Sequence, residues 1–333
     1  MGAFGRNHAR LYRQLAAAGA VDFVGIFDLD AARAAAIARE FETEAFRSLE
    51  ELLESAKPQA VSVAVPTASH LEVTRALMHA SVDVLIEKPL ANSLEEADEL
   101  IRIAQQQRRI AQVGQLERFN PAVRATVPLI TQPMFFEVHR LSVFTPRSLD
   151  VDVVLDLMIH DLDIVLSFLD SPVKEIRAVG LPILTPKVDI ANVRMEFDSG
   201  CVANFTASRV STERVRKLRF FQPHQYISVD YTRQDVVAFH VAADGADAAA
   251  LAALEKDAGA GEHPSGPQIK ISKPEVRREE PLEAELLAFL EAVRTRQTPL
   301  VPLEDGRRAL AVALDILARI REHGRRVNLE KLR

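Results

Sequence analysis

Apolar and polar positions alternate in a regular way along the first third of the chain. Short apolar runs are each followed by a longer stretch with a helical pattern. The apolar runs cover residues 21–28, 46, 60–65, 82–90 and 110–113, and the helical stretches cover 6–18, 30–40, 49–56, 71–80 and 94–107. Strands that alternate with helices of about ten to fifteen residues predict βαβ units, and hence an α/β fold with a doubly wound parallel sheet.

The pattern changes after residue 118, where strand-like runs follow one another with few helices between them. A strand at 134–144, a turn at 146–148 and an apolar helix at 152–166 come first. Further strands are expected at 174–184, 189–197, 201–209, 217–222, 226–231 and 235–241, an Ala/Gly/Asp-rich flexible insertion at 242–267, and closing helices at 282–295 and 304–323. We therefore predict a first domain over residues 1–118 and an α+β domain over 119–333 with a large open, mainly antiparallel sheet.

Composition narrows the possible functions. The 333 residues carry a formal net charge of -6, which argues against a general nucleic-acid binder. No apolar run approaches the ~20 residues that cross a bilayer, so we expect no membrane partner. The single cysteine, Cys201, lies in a strand-like run and cannot form an internal disulfide. A buried structural thiol in a reducing, cytoplasmic compartment is the prediction.

Two glycines precede the first helical stretch. Gly2 and Gly5 match the second half of the dinucleotide fingerprint G-x-G-x-x-G, in which glycines let the backbone approach a pyrophosphate at a helix N-terminus. The first glycine of that fingerprint and the strand before it are not in the sequence. We expect the natural protein to begin several residues before Met1, with a central first strand whose loss would unpair its two neighbours.

Asp28 ends the strand expected at 21–28, 23 residues after Gly5. In a dinucleotide-binding fold an acidic residue at about this distance accepts the ribose hydroxyls of NAD. No arginine follows Asp28 immediately to receive a 2′-phosphate, so NAD is favoured over NADP. The alternative is that Asp28 caps the helix at 30–40, a role that Asp30 could fill instead.

Charged and polar residues follow three of the buried strands. Ligands bind at the carboxyl edge of a parallel sheet, so Lys88, the loop at 66–70, Arg118 and Asn120 could all reach a ligand there. Simpler roles compete with this one: Glu87 and Lys88 could merely end a strand in water, and His70 could merely start a helix. Arg118 and Asn120 could serve only local capping and ion pairing.

The apolar helix at 152–166 contains two polar residues four positions apart. Asp156 and His160 share one helical face at this spacing. Burying either one without a partner would be unfavourable, so the pair needs an explanation. It is either a structural pair or a general acid/base, since the pKa of histidine suits proton transfer near neutral pH.

Together these motifs resemble the glucose–fructose oxidoreductase / inositol dehydrogenase / MocA (Gfo/Idh/MocA) family over essentially the whole chain. The resemblance implies a Rossmann domain with NAD(P), followed by an α+β domain through which a homodimer or homotetramer forms. It implies no metal in the site, and Lys88, Asp156 and His160 as the catalytic group. Implied cofactor contacts are Gly2, Phe4, Gly5, Asp28, Pro66, Thr67, His70, Glu87 and Lys88, and implied substrate contacts are Lys88, Arg118, Asn120, Asp156 and His160.

The implied reaction oxidises a secondary hydroxyl of a sugar to a ketone. His160 would take the hydroxyl proton, Lys88 would stabilise charge on the oxygen, and Asp156 would orient the base or the substrate. Lys88 could instead be the base if burial lowers its pKa, and both assignments are open at this point.

Residues 112–122, 154–166 and 221–228 most resemble one branch of the family. That branch oxidises the 3-hydroxyl of UDP-N-acetylglucosamine, and an aminotransferase converts the product for lipid A sugars. Gln115 departs from the histidine expected in many members. Alternatives are another sugar or inositol dehydrogenase, an NAD-dependent glycosidase and a non-catalytic sensor that binds the cofactor.

Overall fold

A computed structural model describes residues 2–145, 151–241 and 269–328. The expected turn at 146–148 and the whole of the expected flexible insertion at 242–267 lie outside these residues. The chain divides into two compact units, one formed by 1–115 and 282–310 and the other by 116–281 and 311–333. The predicted boundary at 118 is within three residues of the first division, whereas the return of 282–310 to the first unit differs from the prediction.

The first unit alternates strands and helices as expected. Its strands are β1 Ile26–Phe27, β2 Ala45–Phe46, β3 Ala60–Val63, β4 Asp83–Glu87 and β5 Ala111–Gly114. Its helices are α1 Ala3–Ala17, α2 Ala31–Glu40, α3 Leu49–Ser55, α4 His70–His79 and α5 Leu94–Gln107. All neighbouring strands pair in parallel, and every residue of β4 is buried, which confirms the doubly wound α/β class.

Local sequence signals set where these helices begin. Asp30, Ser48 and Ser93 are N-caps whose side chains accept a backbone N–H from the first turn of α2, α3 and α5. The capping role weighed for Asp28 therefore belongs to Asp30. Helix α1 begins at Ala3, three residues before the expected start, so that Gly5 lies in its first turn.

The parallel strands of the described residues form two separate sheets. Strands β1 and β2 make one, and β3, β4 and β5 make the other, in that order. Among the described residues, no pairing joins β1 to β3.

The second unit is built on one large sheet. Its strands are β6 Phe135–Val143, β7 Val173–Leu181, β8 Ile190–Phe197, β9 Val202–Ser211, β10 Val215–Gln222, β11 Gln225–Asp230, β12 Asp235–Val241 and β13 Ile269–Ser272. Within the described residues their order is β13-β12-β11-β10-β6-β9-β8-β7. Neighbours are antiparallel except β6 and β9, so the mainly antiparallel sheet is confirmed; β13 was not expected.

Alternation along these strands separates an apolar inner face from an outer face. Phe136, Phe220 and Ile227 are fully buried, and the residues next to them in sequence point the other way. Two helices that lie wholly in this unit are α6 Pro121–Thr126 and α7 Ile159–Phe168. Phe168 of α7 meets the ring of Phe220 edge to face at 6.1 Å, so α7 packs on the inner face.

Two helices close the described chain: α8 Pro281–Thr295 and α9 Leu303–Arg326. Both match predicted helices, and no end differs by more than three residues. Among the residues that the structure describes, no helix combines the length and apolar character needed to cross a bilayer.

Candidate active site

The N-terminus of α1 has the features of a phosphate site. Gly2 is its N-cap with extended backbone, its first turn holds no acidic residue, and no side chain of the described residues caps the helix. A Cβ added at Gly2 would meet no atom of the described residues within 4 Å. Uncapped amides at the positive end of the helix dipole suit the pyrophosphate of a dinucleotide.

Asp28 directly follows β1 and is half-buried. Its Oδ1 accepts the N–H of Asp30 at 2.8 Å, which fixes the carboxylate beside the end of the strand. Ile26 of β1 packs against Ala9 of α1 in one apolar cluster. The strand that Asp28 follows and the helix that the glycines precede therefore share one apolar cluster.

Glu87 and Lys88 have different surroundings at the carboxyl end of β4. Lys88 is half-buried, whereas Glu87 is only 8% exposed and accepts or shares a hydrogen bond with Nε2 of His8 at 2.9 Å. The Glu87 carboxylate also lies over Gly114 of β5, where a Cβ would come within 2.8 Å of Oε1. The simple reading in which Glu87 ends a strand in water is therefore wrong.

His70 joins two loops of the carboxyl edge. It is 1% exposed, its Nδ1 is 3.2 Å from the carbonyl of Leu90, and its Nε2 is 3.1 Å from the carbonyl of Val65. Burial lowers the pKa of His70, and the two carbonyls oppose that effect. The side chain holds the loop after β3 against the loop after β4, with Thr67 in a short 3₁₀ turn between them.

Arg118 and Asn120 lie in the second unit, in the turn that leads to α6. Asn120 is 3% exposed; its Oδ1 caps α6, and its amide donates to Glu117 and to the carbonyl of Tyr231, both at 3.0 Å. This geometry supports the local capping role for Asn120. Arg118 lies 3.7 Å from the buried carboxylate of Asp163.

Asp156 and His160 lie where the helix changes its winding. Residues Val154–Met158 form a π-helical turn, and α7 continues from Ile159. The continuous α-helix expected over 152–166 is therefore wrong at its start. Asp156 and His160 are partly exposed, while Met158, Ile159 and other residues between and beside them are buried. Such π-turns occur frequently at functional sites.

A buried ionic network fixes the helix that carries His160. Arg140 of β6 donates to both carboxylate oxygens of Asp161 at 2.6 and 2.8 Å and to Glu117 at 2.9 Å, and it stacks on Tyr231 at 5.2 Å. Although burial opposes its charge, the two carboxylates raise the pKa of Arg140. This network was not predicted from the sequence, although Arg140 falls at an inward position of a strand and Asp161 in an apolar helix.

Cofactor-binding and catalytic residues were predicted in both units. The first unit contains Lys88 and the predicted cofactor contacts, and the second contains Asp156 and His160. The described residues contain no cluster of three or more His, Cys, Asp or Glu side chains placed to hold a metal ion.

Two family models match the chain. Residues 1–115 match the model described as "Oxidoreductase family, NAD-binding Rossmann fold", and residues 132–227 match the "GFO/IDH/MocA C-terminal domain". The two models thus cover the strands of the first unit and most strands of the large sheet.

Relatives and solved structures are similar over nearly the whole chain. A UDP-N-acetylglucosamine 3-dehydrogenase of Acidithiobacillus ferrooxidans is 36% identical over 95% of this chain and 94% of the relative. A crystal structure of that enzyme has a TM-score of 0.85, with 35% identity over 96% of this chain and 95% of its own.

More distant relatives include inositol dehydrogenases. A scyllo-inositol 2-dehydrogenase (NAD⁺) of Bacillus subtilis is 28% identical over 54% of this chain and 57% of the relative. An inositol dehydrogenase homologue of Azotobacter vinelandii, solved with NADH and myo-inositol, shares the fold at a TM-score of 0.72 and 17% identity over 90% of this chain and 87% of its own. The chain therefore belongs to the Gfo/Idh/MocA family of oxidoreductases.

Proposed function

We propose that this protein oxidises the 3-hydroxyl of UDP-N-acetylglucosamine to a ketone with NAD. The observation that carries the proposal is the full-length similarity to a UDP-N-acetylglucosamine 3-dehydrogenase, at 36% identity and a TM-score of 0.85. Inositol dehydrogenases match in sequence over only about half of the chain, and a structure that matches over 90% of it is only 17% identical. The similarity across the second unit therefore favours the nucleotide sugar over an inositol.

NAD is the proposed cofactor, and this chain's own residues suit it. The N-terminus of α1, with Gly2, Phe4 and Gly5, would hold the pyrophosphate, and Asp28 would accept the ribose hydroxyls. A 2′-phosphate would place negative charge against the Asp28 carboxylate, which favours NAD over NADP. When bound, the nicotinamide supplies the acceptor for the substrate's hydride.

Further cofactor contacts are proposed at the loops of the carboxyl edge. Pro66 and Thr67 lie in the loop that His70 holds in place through its two carbonyl contacts. Glu87 contributes through the position of Lys88, since its own carboxylate is buried.

Lys88, Asp156 and His160 are the proposed catalytic residues. His160 removes the proton from the substrate hydroxyl, because an imidazole is half-protonated near neutral pH. The Lys88 ammonium stabilises the negative charge that develops on the oxygen, and Asp156 orients the imidazole or the sugar. Arg118 is a proposed contact to the nucleotide sugar, whose diphosphate suits a guanidinium.

We also propose a homo-oligomer that forms through the outer face of the large sheet. Phe135, Phe221, Tyr226 and Phe239 lie in one row across four strands, with ring centroids 5.0–5.6 Å apart. Ion pairs lie beside this row, among them Arg219 with Glu137 at 3.1 Å. An apolar row beside charges of both signs suits a two-fold contact with a second copy.

The proposed product suits one class of following reaction. A 3-ketone on a nucleotide sugar is the substrate that a sugar aminotransferase needs, so lipid A assembly is the proposed pathway. The buried free thiol of Cys201 suits the reducing cytoplasm, where NAD and nucleotide sugars are available.

A direct assay tests the reaction. Purified protein is supplied with UDP-N-acetylglucosamine and either NAD or NADP, and reduced cofactor is followed by its absorbance, with myo-inositol and free N-acetylglucosamine in parallel. We expect NADH to form only with the nucleotide sugar and with no release of UDP. Turnover of inositol alone would contradict the substrate, and release of UDP would indicate a glycosidase.

The Lys88→Ala variant tests the catalytic assignment. Loss of a charge that stabilises the reacting oxygen should lower kcat/KM by about 10²–10³-fold. Lys174→Ala, which removes an exposed lysine paired with Glu196, is the matched control and should keep wild-type activity. Wild-type turnover in Lys88→Ala would refute the assignment.

Replacing His160 by Asn identifies the base. If His160 removes the proton, the variant loses the acid limb of the kcat/KM profile together with most of its activity. If that limb persists in His160→Asn and disappears in Lys88→Ala, Lys88 is the base.

A further inference from the structure

One face of the sheet β3–β4–β5 is polar, which is unusual for a parallel sheet whose faces are covered. Residues that are paired across neighbouring strands point to the same face of the sheet. On this face Leu85 lies between Ser62 and Gln112. Two residues further along the strands, Glu87 lies beside Gly114. Gln112 is fully buried, and Glu87 nearly so. Three of these five positions therefore place a polar side chain where an apolar one would be expected.

Helix α1 covers this face with two polar side chains one turn apart. The hydroxyl of Tyr12 lies 2.7 Å from Oγ of Ser62, and Nε2 of His8 lies 2.9 Å from Glu87. Nδ1 of His8 has no hydrogen-bond partner among the described residues. The helix that carries the fingerprint glycines is thus tied through polar contacts to the strand that precedes Lys88.

Glu285 in the first turns of α8 completes the polar layer formed by Tyr12, Ser62, His8, Glu87 and Gln112. Gln112 donates from Nε2 to the backbone carbonyl of Glu285 at 3.3 Å. Glu285 is 0% exposed, and within the described part of the chain neither of its carboxyl oxygens has a hydrogen-bond partner; the same holds for Oε1 of Gln112. A carboxylate in such a place would be very unfavourable if charged.

The surroundings of Glu285 oppose its ionisation. Burial, and then the charge of Glu87, raise the pKa of Glu285 well above its usual range. Burial likewise raises the pKa of Tyr12 to about 12, with a contribution from Glu285. The titratable groups facing this layer are His8 and Tyr12 from α1, Glu87 from β4, Glu285 from α8, and His70, which senses the Glu87 charge.

We propose that Glu285 is a positioning residue for Lys88. As an uncharged acid, Glu285 leaves Glu87 as the only charged carboxylate of the polar layer. His8 then holds Glu87 over Gly114, and this fixes the end of β4 that Lys88 follows. The proposal deepens the proposed function and rests on it as far as the role of Lys88 is concerned.

The pH dependence of stability tests the charge state without any substrate. A group whose pKa is raised in the folded protein stabilises it fully below the pKa of the unfolded chain and loses that effect as pH rises through the folded pKa. The Tm of wild type minus the Tm of Glu285→Gln should therefore decrease steadily as the pH is raised above about 5. Glu291→Gln removes an exposed carboxylate from the same helix and should show no such trend. A constant difference for Glu285→Gln would overturn the proposal.

The reactivity of Lys88 tests positioning directly. The rate of reductive methylation of Lys88 is followed by peptide mass spectrometry in the full-length protein. We expect Glu285→Leu to change that rate at least threefold at pH 7, and Glu285→Gln and Glu291→Gln to change it less. Equal rates in all four proteins would overturn a positioning role. Since Glu285→Gln keeps the shape of the neutral acid, it remains informative if Glu285→Leu does not fold.

Kinetics connect the layer to the reaction. With UDP-N-acetylglucosamine and NAD, Glu285→Leu should lower kcat at least tenfold and leave KM within twofold of wild type. In Glu285→Gln, kcat at pH 6.5 should stay within threefold of wild type. The pH at which kcat falls on the alkaline side should be at least one unit higher in Glu285→Gln than in wild type, and an unchanged pH would contradict the proposal. If wild type itself turns over no nucleotide sugar, the proposed function fails, while the stability and methylation measurements still decide the state and effect of Glu285.

Discussion

Single residues of this protein owe their chemistry to burial more than to residue type. Cys201 is an example, since a thiol can be a nucleophile or an inert core group depending on its surroundings. It is 3% exposed, and burial raises its pKa to about 11. The structural thiol predicted from the strand-like run is therefore confirmed.

Cys201 should resist alkylation in the folded protein. At pH 8 only a very small fraction of a thiol with a pKa of about 11 is thiolate, and the thiolate is the reactive form. We expect iodoacetamide to label Cys201 at least a hundredfold more slowly in the native protein than in 6 M guanidinium chloride at the same pH. Mass spectrometry of the intact chain measures both rates, and similar rates would show that the thiol is accessible.

At the scale of secondary-structure elements, buried charges connect parts of the second unit. The network of Arg140, Asp161 and Glu117 joins β6, α7 and the turn before α6. All three side chains are nearly inaccessible, at 8% exposure or less. Removing the cation would leave two carboxylates buried without compensation, which is far more unfavourable than losing an exposed ion pair.

Arg140→Met should therefore destabilise the protein by about 3–5 kcal/mol. Arg219→Met is the matched control, because Arg219 on the adjacent strand pairs with Glu137 on the outer face, where both side chains are a third or more exposed. The control substitution should lower the free energy of unfolding by at most about 1 kcal/mol. Urea unfolding of both variants measures the difference, and equal losses would mean that the buried network contributes no more than a surface pair.

At the scale of the whole molecule, the outer face of the large sheet is the surface expected to meet a second copy. Phe221 lies in the middle of its aromatic row and is 37% exposed. A charge at this position leaves the buried inner face untouched and opposes only contact with another apolar surface.

Phe221→Asp should convert the oligomer into a monomer. Light scattering after size exclusion should give a multiple of 36.9 kDa for wild type and about 36.9 kDa for the variant. Val127→Asp adds the same charge at a 55% exposed position outside the row and should keep the wild-type mass. An unchanged mass for Phe221→Asp would place the contact elsewhere, and a monomeric wild type would contradict the proposed assembly.

Much of the fold follows from the sequence because local patterns report on local structure. The apolar run of β4, the caps at Asp30, Ser48 and Ser93, and the helix over Leu94–Gln107 depend on neighbours within a few residues. Local patterns do not predict the π-turn at Val154–Met158, which depends on packing around Asp156. They also do not predict the strand β13, which depends on pairing with β12. The return of α8 to the first unit is a long-range contact of the same kind.

The sequence by itself determined the residue types that carry the proposed chemistry: the glycines before α1, Asp28, Lys88, and the pair Asp156 and His160. Spacing along the chain is enough for these, because each lies at a strand end or on a helix face that periodicity can identify.

Only the tertiary structure decided what surrounds Lys88. The sequence alone left open whether Glu87 ends a strand in water, whereas helix α1 and strand β5 enclose it, and Glu285 comes to the same layer from almost two hundred residues away. Periodicity does place Glu285 on the apolar side of its helix, with Leu282, Leu286 and Phe289. Its partners and its charge state depend on burial and on the field of other groups, and these exist only once the chain has folded.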